Sequence, residues 1–285
     1  MANRNDQPNV KSFAGLSLDR PRIMGIVNVT PDSFSDGGEA FRVEDAVSRG
    51  RDMLVAGADI LDIGGESTRP GAMPVSVDEE CARVLPVIEN LAGDGALISI
   101  DSQRAAVMRA AVAAGAKIVN DVTALDGDPD AVAVIAETNV SVILMHMQGE
   151  PKNMQNNPTY NVPSQDIRDY LAERIAVCEA AKISRDRIAV DAGIGFGKTL
   201  DHNLEILAHM DILHALACAV VIGVSRKSFI GRLTGAENPQ DRVVGSVAAA
   251  LATRYLGVQI FRVHDVAQTR QAFDVWEAIR QTRPS

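Results

Sequence analysis

The scarcity of cysteine argues against disulfide bridges and zinc sites. The 285 residues include three cysteines, which lie far apart and match no zinc-binding spacing. We expect Cys81, Cys178 and Cys218 to be small, reduced core or helix residues. Positive charge is scarce too: the net charge is -9, and the lysines and arginines are scattered. A basic nucleic-acid surface is therefore not expected, and local cations would have to hold any anionic substrate.

Long hydrophobic runs are also missing. No run approaches the roughly 18 apolar residues of a membrane span, and the first residues lack the apolar segment of a signal peptide. These absences predict a cytoplasmic protein. The 46% hydrophobic content still allows a sizeable core, and no linker divides the chain. We predict a polar extension, residues 1–20, that frays or forms a small lid, followed by one domain, residues 21–285.

A regular alternation organises the chain after this extension. Short apolar runs end in polar residues and are followed by loops and Ala-rich amphipathic stretches. The eight runs are 22–28, 58–64, 96–101, 116–121, 140–146, 187–191, 218–224 and 258–264. Such short runs are typical of parallel strands that are buried on both faces. Eight units in about 250 residues predict a closed (β/α)8 barrel, and an open doubly wound sheet is the alternative.

Every one of these runs delivers a polar group to its C-terminal end. In a (β/α)8 barrel these ends form the rim that carries the active site. The rim residues would be Asn28, Asp62, Asp101, Asn120, Asp121, His146, Asp191, Ser225, Arg226, Lys227, Arg262 and His264. A single polar strand end often just meets solvent. A convergent set above an apolar barrel, however, is typical of a small-molecule site.

Two long loops follow the first two runs. The loop NVTPDSFSDGGEAF, residues 28–41, combines turn-forming residues and glycines with one apolar side chain, Phe34. In GGESTRPGAMP, residues 64–74, Thr68 and Arg69 suit phosphate oxygens. Loops of this composition predict lids that close over a substrate.

The stretch DAGIGFGKT, residues 191–199, nearly matches the phosphate-binding loop of nucleotide hydrolases. That pattern requires Gly where Ala192 stands, and a carboxylate at the strand tip, Asp191, would repel phosphate. We interpret the stretch as a strand end and a sharp turn that brings Phe196 over the site. Lys198 and Thr199 are expected to start the next helix and to face outward.

Eight motifs together resemble the dihydropteroate synthase family, over roughly residues 21–281. They are NVTPDSFSDGG, GGESTRPGA, ISIDS, NDV, LMHMQG, DAGIGFGKT, GVSRKSFIG and RVHDV. The resemblance implies a (β/α)8 fold and a homodimer packed through barrel helices. It also implies transfer of the methylene of 6-hydroxymethyl-7,8-dihydropterin pyrophosphate to the amine of 4-aminobenzoate. The products are 7,8-dihydropteroate and pyrophosphate, Mg²⁺ assists, and sulfonamides occupy the aminobenzoate site.

Binding roles follow from the resemblance and from side-chain chemistry. Asp191 would accept from the two parallel donors on the amidine-like edge of the pterin. The other pterin-binding residues would be Asp101, Asn120, Met145 and Lys227. Pyrophosphate would be bound by Thr68, Arg69, Arg262 and His264. The aminobenzoate pocket would be formed by Phe34, Pro70, Phe196, Lys227 and Ser228, the last at a helix N-terminus.

The predicted mechanism is a dissociative substitution. Departure of pyrophosphate would leave a cation on the exocyclic methylene, and closure of both loops would exclude water. Asn28 would be a ligand of a phosphate-bound Mg²⁺. The residues with catalytic roles would be Asp36, Lys227, Arg262 and His264.

Three other interpretations share part of the pattern. An aldolase-type barrel would use Lys227 as a Schiff base. A corrinoid-dependent pterin-binding methyltransferase would share the pterin groups but lack the two long loops. A non-catalytic paralogue would bind only pterin or a partner. The chain also departs from the family at Ala192, commonly Pro, at Thr123, commonly Ser, and in residues 160–166, where we expect effects on edges rather than on the site.

Overall fold

Eight parallel strands close into a barrel in the computed structural model, which describes residues 10–29, 39–66, 75–150 and 152–282. Numbered β1 to β8 along the chain, they are Arg22–Asn28, Ile60–Gly64, Ile98–Asp101, Ile118–Asp121, Ser141–Met145, Ile188–Asp191, Ala219–Ile222 and Ile260–Val263. The last strand pairs with the first, so that residue Arg262 lies beside Met24. The (β/α)8 prediction is confirmed, and the open doubly wound alternative is wrong.

Helices connect consecutive strands on the outside of the barrel. In the described ranges they are α1 Glu39–Val55, α2 Val77–Gly93, α3 Ala105–Ala113, α4 Ala131–Glu137, α5 Pro163–Ala180, α6 Leu200–Ala208, α7 Ser228–Thr234, α8 Val243–Tyr255 and α9 Val266–Gln281. Short 3-10 helices cover Arg185–Arg187, Met210–Leu216 and Pro239–Arg242. Among these helices none is long and apolar enough to cross a bilayer. The three cysteines carry free thiols, as expected.

A small antiparallel hairpin, Ser12–Phe13 and Leu16–Ser17, covers the N-terminal end of the barrel. Phe13 and Leu18 are buried there against residues at the starts of the strands, including Ile60 and Ile260. Burial of these apolar side chains anchors this part of the polar extension under the barrel.

Strand periodicity determines which residues reach the functional end of the barrel. Successive side chains on a strand alternate between its two faces. In β1, Ile23 and Val27 contact the helix layer, whereas Met24 belongs to the inner cluster. Seven of the eight strands place an inward side chain near the C-terminal rim, two positions beyond another inward residue. Those side chains are Asn28, Asp62, Asp101, Asn120, Met145, Asp191 and Arg262.

Candidate active site

Arg262 is held between two carboxylates from other strands, the buried Asp62 and the partly buried Asp101. Its Nε donates to Asp62 Oδ2 at 2.5 Å, and its Nη2 donates to Asp101 Oδ2 at 2.6 Å. Asp62 Oδ2 also accepts from Asn120 Nδ2 at 3.1 Å, and the Asp62 side chain is fully buried. Asp62 therefore orients both a guanidinium and an amide. Sequence analysis predicted Asp62 only as a rim residue. Its position inside the apolar run ADILDIG was the sequence feature that could have indicated this buried, orienting role.

Asp191 and Met145 lie side by side on the neighbouring strands β6 and β5. Both are almost fully buried. Asp191 Oδ1 accepts from the backbone N–H of Gly193 at 2.7 Å, which aligns the carboxylate with the turn that follows. Asp101 and Asn120 are likewise paired in register on β3 and β4. The predicted pterin-binding residues thus line one continuous arc of the rim.

Lys227 lies between these carboxylates and Phe196. Its Nζ is 4.1 Å from the centroid of the Phe196 ring, within range of a cation–π interaction. Burial, together with nearby Arg262, lowers the pKa of Lys227 to about 8 against the opposing effect of Asp191 and Asp101. Ser228 is the first residue of α7, so the predicted helix N-terminus is present beside Lys227. The structure brings together three of the five predicted aminobenzoate residues.

Burial also raises the pKa values of two carboxyl groups at the rim. It raises the pKa of Asp101 to about 7, an effect that Arg262 opposes and that the neighbouring charges of Asp62 and Asp121 reinforce. The pKa of Asp191 is raised for the same primary reason, opposed by the Gly193 N–H and by Lys227. Groups with pKa values moved toward neutrality are typical of functional sites.

His264 follows Arg262 at the end of β8, and Ser225 orients it. Its Nδ1 is 3.0 Å from Ser225 Oγ, and its backbone N–H donates to the same oxygen at 3.1 Å. Arg226 instead forms an ion pair with Asp265, and its Nη2 lies 2.5 Å from Oδ1. Arg226 therefore connects the segments that follow β7 and β8, and its guanidinium is paired with Asp265 rather than with the other rim residues.

Asp121 also has a structural role. It is fully buried on the helix side of β4, where Oδ1 accepts from Thr123 N and Oγ1 and Oδ2 accepts from Leu125 N. The hydroxyl of Thr123 supplies the contact that serine could also make, so this departure from the family leaves the turn intact.

The expectation that Lys198 faces outward is wrong. Lys198 is 2% exposed, and its Nζ lies 3.0 Å from His146 Nδ1 and 2.9 Å from Phe196 O. Burial lowers the pKa of Lys198 well below its usual value, and it lowers that of His146 to about 3. Thr199 does begin the next helix, as its N-cap. A lysine in a polar loop usually lies at the surface, so the sequence held no signal for this burial.

Five predicted site residues lie outside the described residues: Phe34, Asp36, Thr68, Arg69 and Pro70. Asn28 is described and lies half-buried at the end of β1, next to Gly64 in register. In the described ranges no group of three His, Cys, Asp or Glu side chains is arranged to hold a metal ion. A single amide oxygen nevertheless fits Mg²⁺, which binds few protein groups and keeps phosphate and water ligands.

The fold and the site define a (β/α)8-barrel enzyme whose charged and polar side chains converge at the C-terminal rim. A family model described as pterin binding enzyme matches residues 24–264. The dihydropteroate synthase of Neisseria meningitidis serogroup B is 50% identical over 270 residues, 93% of this chain and 94% of that protein. The chain belongs to the dihydropteroate synthase family of pterin-binding enzymes.

Solved structures agree with this membership. Xanthomonas albilineans dihydropteroate synthase with 4-aminobenzoic acid has a TM-score of 0.89 and 50% identity, covering 94% of this chain and 96% of that one. Yersinia pestis dihydropteroate synthase with a sulfonamide drug has a TM-score of 0.88 and 47% identity, covering 94% and 97%. The chain is a transferase of folate biosynthesis, and these likenesses support neither the aldolase, the corrinoid methyltransferase nor the non-catalytic paralogue.

Proposed function

We propose that the rim joins the methylene of 6-hydroxymethyl-7,8-dihydropterin pyrophosphate to the amine of 4-aminobenzoate, releasing pyrophosphate. One observation carries this proposal: partly buried Asp101 and buried Asn120 and Asp191 line a single arc, with Arg262 and Lys227 beside them. The arc offers acceptors for a flat donor-rich heterocycle, and the cations offer partners for a departing anion. The family membership supplies the matching substrates.

The pterin would lie against the arc with its amidine-like edge on Asp191. A carboxylate accepts two parallel N–H groups better than an amide, because the charge strengthens both hydrogen bonds. Asn120, already oriented by Asp62, would pair with the adjoining ring edge. Asp101 would accept from a ring N–H, and Met145 would pack on the ring face.

Arg262 and His264 would bind the pyrophosphate group as it leaves. The guanidinium has N–H donors beyond the two that contact Asp62 and Asp101, and these could reach phosphate oxygens. Thr68 and Arg69 would complete this subsite. Mg²⁺, held by Asn28 and by phosphate oxygens, would neutralise part of the leaving group's charge.

The chain's own groups would then protect and guide a dissociative step. The C–O bond breaks with its electron pair on pyrophosphate, the C–N bond forms, and the amine loses one proton. Asp36 would stabilise the intermediate cation. Phe196, with Phe34 and Pro70 from the loops, would exclude water from it, and Ser228 would bind the aminobenzoate carboxylate. Sulfonamides would compete for the same pocket.

The test is a coupled assay of pyrophosphate release with each substrate alone and with both. We expect release that requires 4-aminobenzoate and yields dihydropteroate in equal amount. Release without aminobenzoate would indicate a hydrolase, and absence of release would favour a binding protein. Borohydride treatment with a carbonyl substrate should leave Lys227 unmodified, in contrast to a Schiff-base aldolase.

Activity should have an optimum between pH 7 and 8. Asp101 must be ionised to accept from the pterin, so kcat/KM should fall below its pKa of about 7. Lys227 must be protonated to donate to the pterin carbonyl, so kcat/KM should also fall above its pKa of about 8. Each limb should approach about tenfold per pH unit.

Steady-state profiles of two variants would assign the limbs. Asp101→Asn should remove the acid limb, while Lys227→Arg should displace the alkaline limb to higher pH. A wild-type profile that is flat from pH 6 to 9 would contradict both assignments.

The homodimer implied by the family is proposed to form through α6, α7 and α8. These helices carry an apolar groove of about 430 Å³, lined by residues such as Leu207, Phe229 and Ala248. Leu233 borders the groove and is 54% exposed. Leu233→Glu should convert a dimer to monomers in light scattering, whereas Val55→Glu, an equally apolar site on α1, should leave the dimer intact.

A further inference from the structure

The turn after β6 lies directly on the backbone at the end of β5. A Cβ atom at Gly193 would be 1.9 Å from His146 O, and one at Gly197 would be 2.2 Å from Gln148 O. Gly193, with φ of 67°, and Gly197, with φ of 62°, also have left-handed backbones. Only glycine permits both the approach and the conformation. Phe196 is thus carried on a turn with few backbone hydrogen bonds of its own.

The buried side chain of Lys198 holds this turn by additional hydrogen bonds. Its Nζ contacts three acceptors: Phe196 O at 2.9 Å, His146 Nδ1 at 3.0 Å and His146 O at 3.3 Å. Nζ is thus within hydrogen-bond distance of both segments at once. The side chain therefore joins the carbonyl of Phe196 to His146, which directly follows β5 and lies 52 residues before Lys198 in the chain.

Three side chains from the surrounding loop and helix also form hydrogen bonds with the backbone of this turn. Tyr160 Oη donates to Gly197 O at 2.8 Å, and Gln155 Nε2 donates to Gly195 O at 2.6 Å. Asn203 of α6 accepts from Gly195 N at 2.7 Å. The expectation that residues 160–166 affect only edges is therefore wrong for Tyr160. The β5–α5 loop and α6 converge on the turn that presents Phe196.

We propose that Lys198 is a positioning residue for the aminobenzoate pocket. By joining the Phe196 carbonyl to His146, it holds the Phe196 ring against Lys227, 4.1 Å from its Nζ. It thereby sets the position of the Phe196 ring in the pocket wall without touching either substrate. This inference rests on the proposed function, because it takes Phe196 as a wall of the aminobenzoate pocket.

The principal test is Lys198→Met, which keeps the apolar length of the side chain and removes its donors. We expect the KM for 4-aminobenzoate to rise at least about tenfold, equivalent to 1.4 kcal/mol. The Kd of the pterin substrate, measured by calorimetry without aminobenzoate, should stay within about twofold, since Asp191 keeps its own contact with Gly193. A parallel loss of pterin affinity, or an unchanged KM, would overturn the proposal.

A matched control separates positioning from general stability. Arg254→Met also removes a buried cation, but one that pairs with Glu277 on the outer helix layer. It should lower the melting temperature and leave both constants unchanged. An equal rise of the aminobenzoate KM in this control would overturn the proposal.

Two milder variants keep the test decisive if Lys198→Met does not fold. Tyr160→Phe and Gln155→Ala each remove one outer contact, so each should raise the aminobenzoate KM by about two- to fivefold. No change in either variant would contradict positioning of this turn. Wild-type pyrophosphate release that does not require aminobenzoate would instead refute the proposed function itself.

Discussion

Replacing Arg262 with alanine should lower kcat/KM by about a thousandfold, the upper end of the effect of removing one charge-stabilising group from an active site. The substitution removes the cation proposed to bind the leaving pyrophosphate. It also removes a contact that holds Asp101 directly and Asn120 indirectly, through Asp62. Turnover and pterin affinity should therefore both fall, with turnover more affected.

The same substitution should lower stability without unfolding the barrel. Removing one partner of a buried pair costs about 3–5 kcal/mol, and the Arg262 side chain is 22% exposed, which favours the lower part of that range. Without the guanidinium, the pKa of Asp101 should rise above its present value of about 7. Since a raised carboxyl pKa adds stability only while the group is protonated, the variant should lose stability as pH rises through that value.

Arg270→Ala is the matched control for Arg262→Ala. Arg270 forms an ion pair with Asp59 near the opposite end of the barrel, with Nη2 at 3.0 Å from Oδ2. The Arg270→Ala substitution should lower the melting temperature but leave kcat/KM unchanged. Loss of the circular dichroism spectrum in Arg262→Ala would show that Arg262 is required for folding, contrary to the prediction.

Sequence periodicity predicted the barrel well and the starts of the strands less well. The first strand was predicted at residues 22–28, as observed, but β2 begins at Ile60 and not at 58. The cause is Asp59, whose Oδ2 accepts from the backbone N–H of Ile23 at 2.9 Å and which pairs with Arg20 and Arg22. The apolar pattern of one strand does not reveal that a carboxylate at its start forms a hydrogen bond with another strand.

Polar strand ends predicted where the site lies, but not which residues support it. Asp62 meets Arg262 across 200 residues of chain, and Lys198 meets His146 only after β5 and β6 are paired. The first contact depends on closure of the barrel, and the second depends on the pairing of β5 with β6. Arg226 and Asp121 show the converse: they carry the same signal as the site residues, yet they bond to loops.

Replacing Asp191 with asparagine should weaken pterin binding at least about a hundredfold, since hydrogen bonds to a charged group contribute about 1.5–3 kcal/mol each and two are proposed. The amide would also turn an N–H toward a ring edge that offers N–H groups itself. Its oxygen could still accept from Gly193, as Asp191 does at 2.7 Å. The turn that carries Phe196 should therefore persist, and the loss should be confined to the pterin.

Calorimetry of the pterin substrate, without aminobenzoate, measures this loss directly. Asp121→Asn is the control: Asp121 is an equally buried carboxylate at the end of β4, two strands away, but it bonds to Thr123 and Leu125. It should lower stability and leave the Kd unchanged. Because burial raises the pKa of Asp191, wild-type affinity should also weaken as the pH falls, and Asp191→Asn should remove the part of this dependence that Asp191 contributes while leaving the part due to Asp101. Near-normal affinity in Asp191→Asn would indicate that the amidine edge binds Asp101, the other carboxylate of the arc, and that the proposed orientation of the ring is reversed.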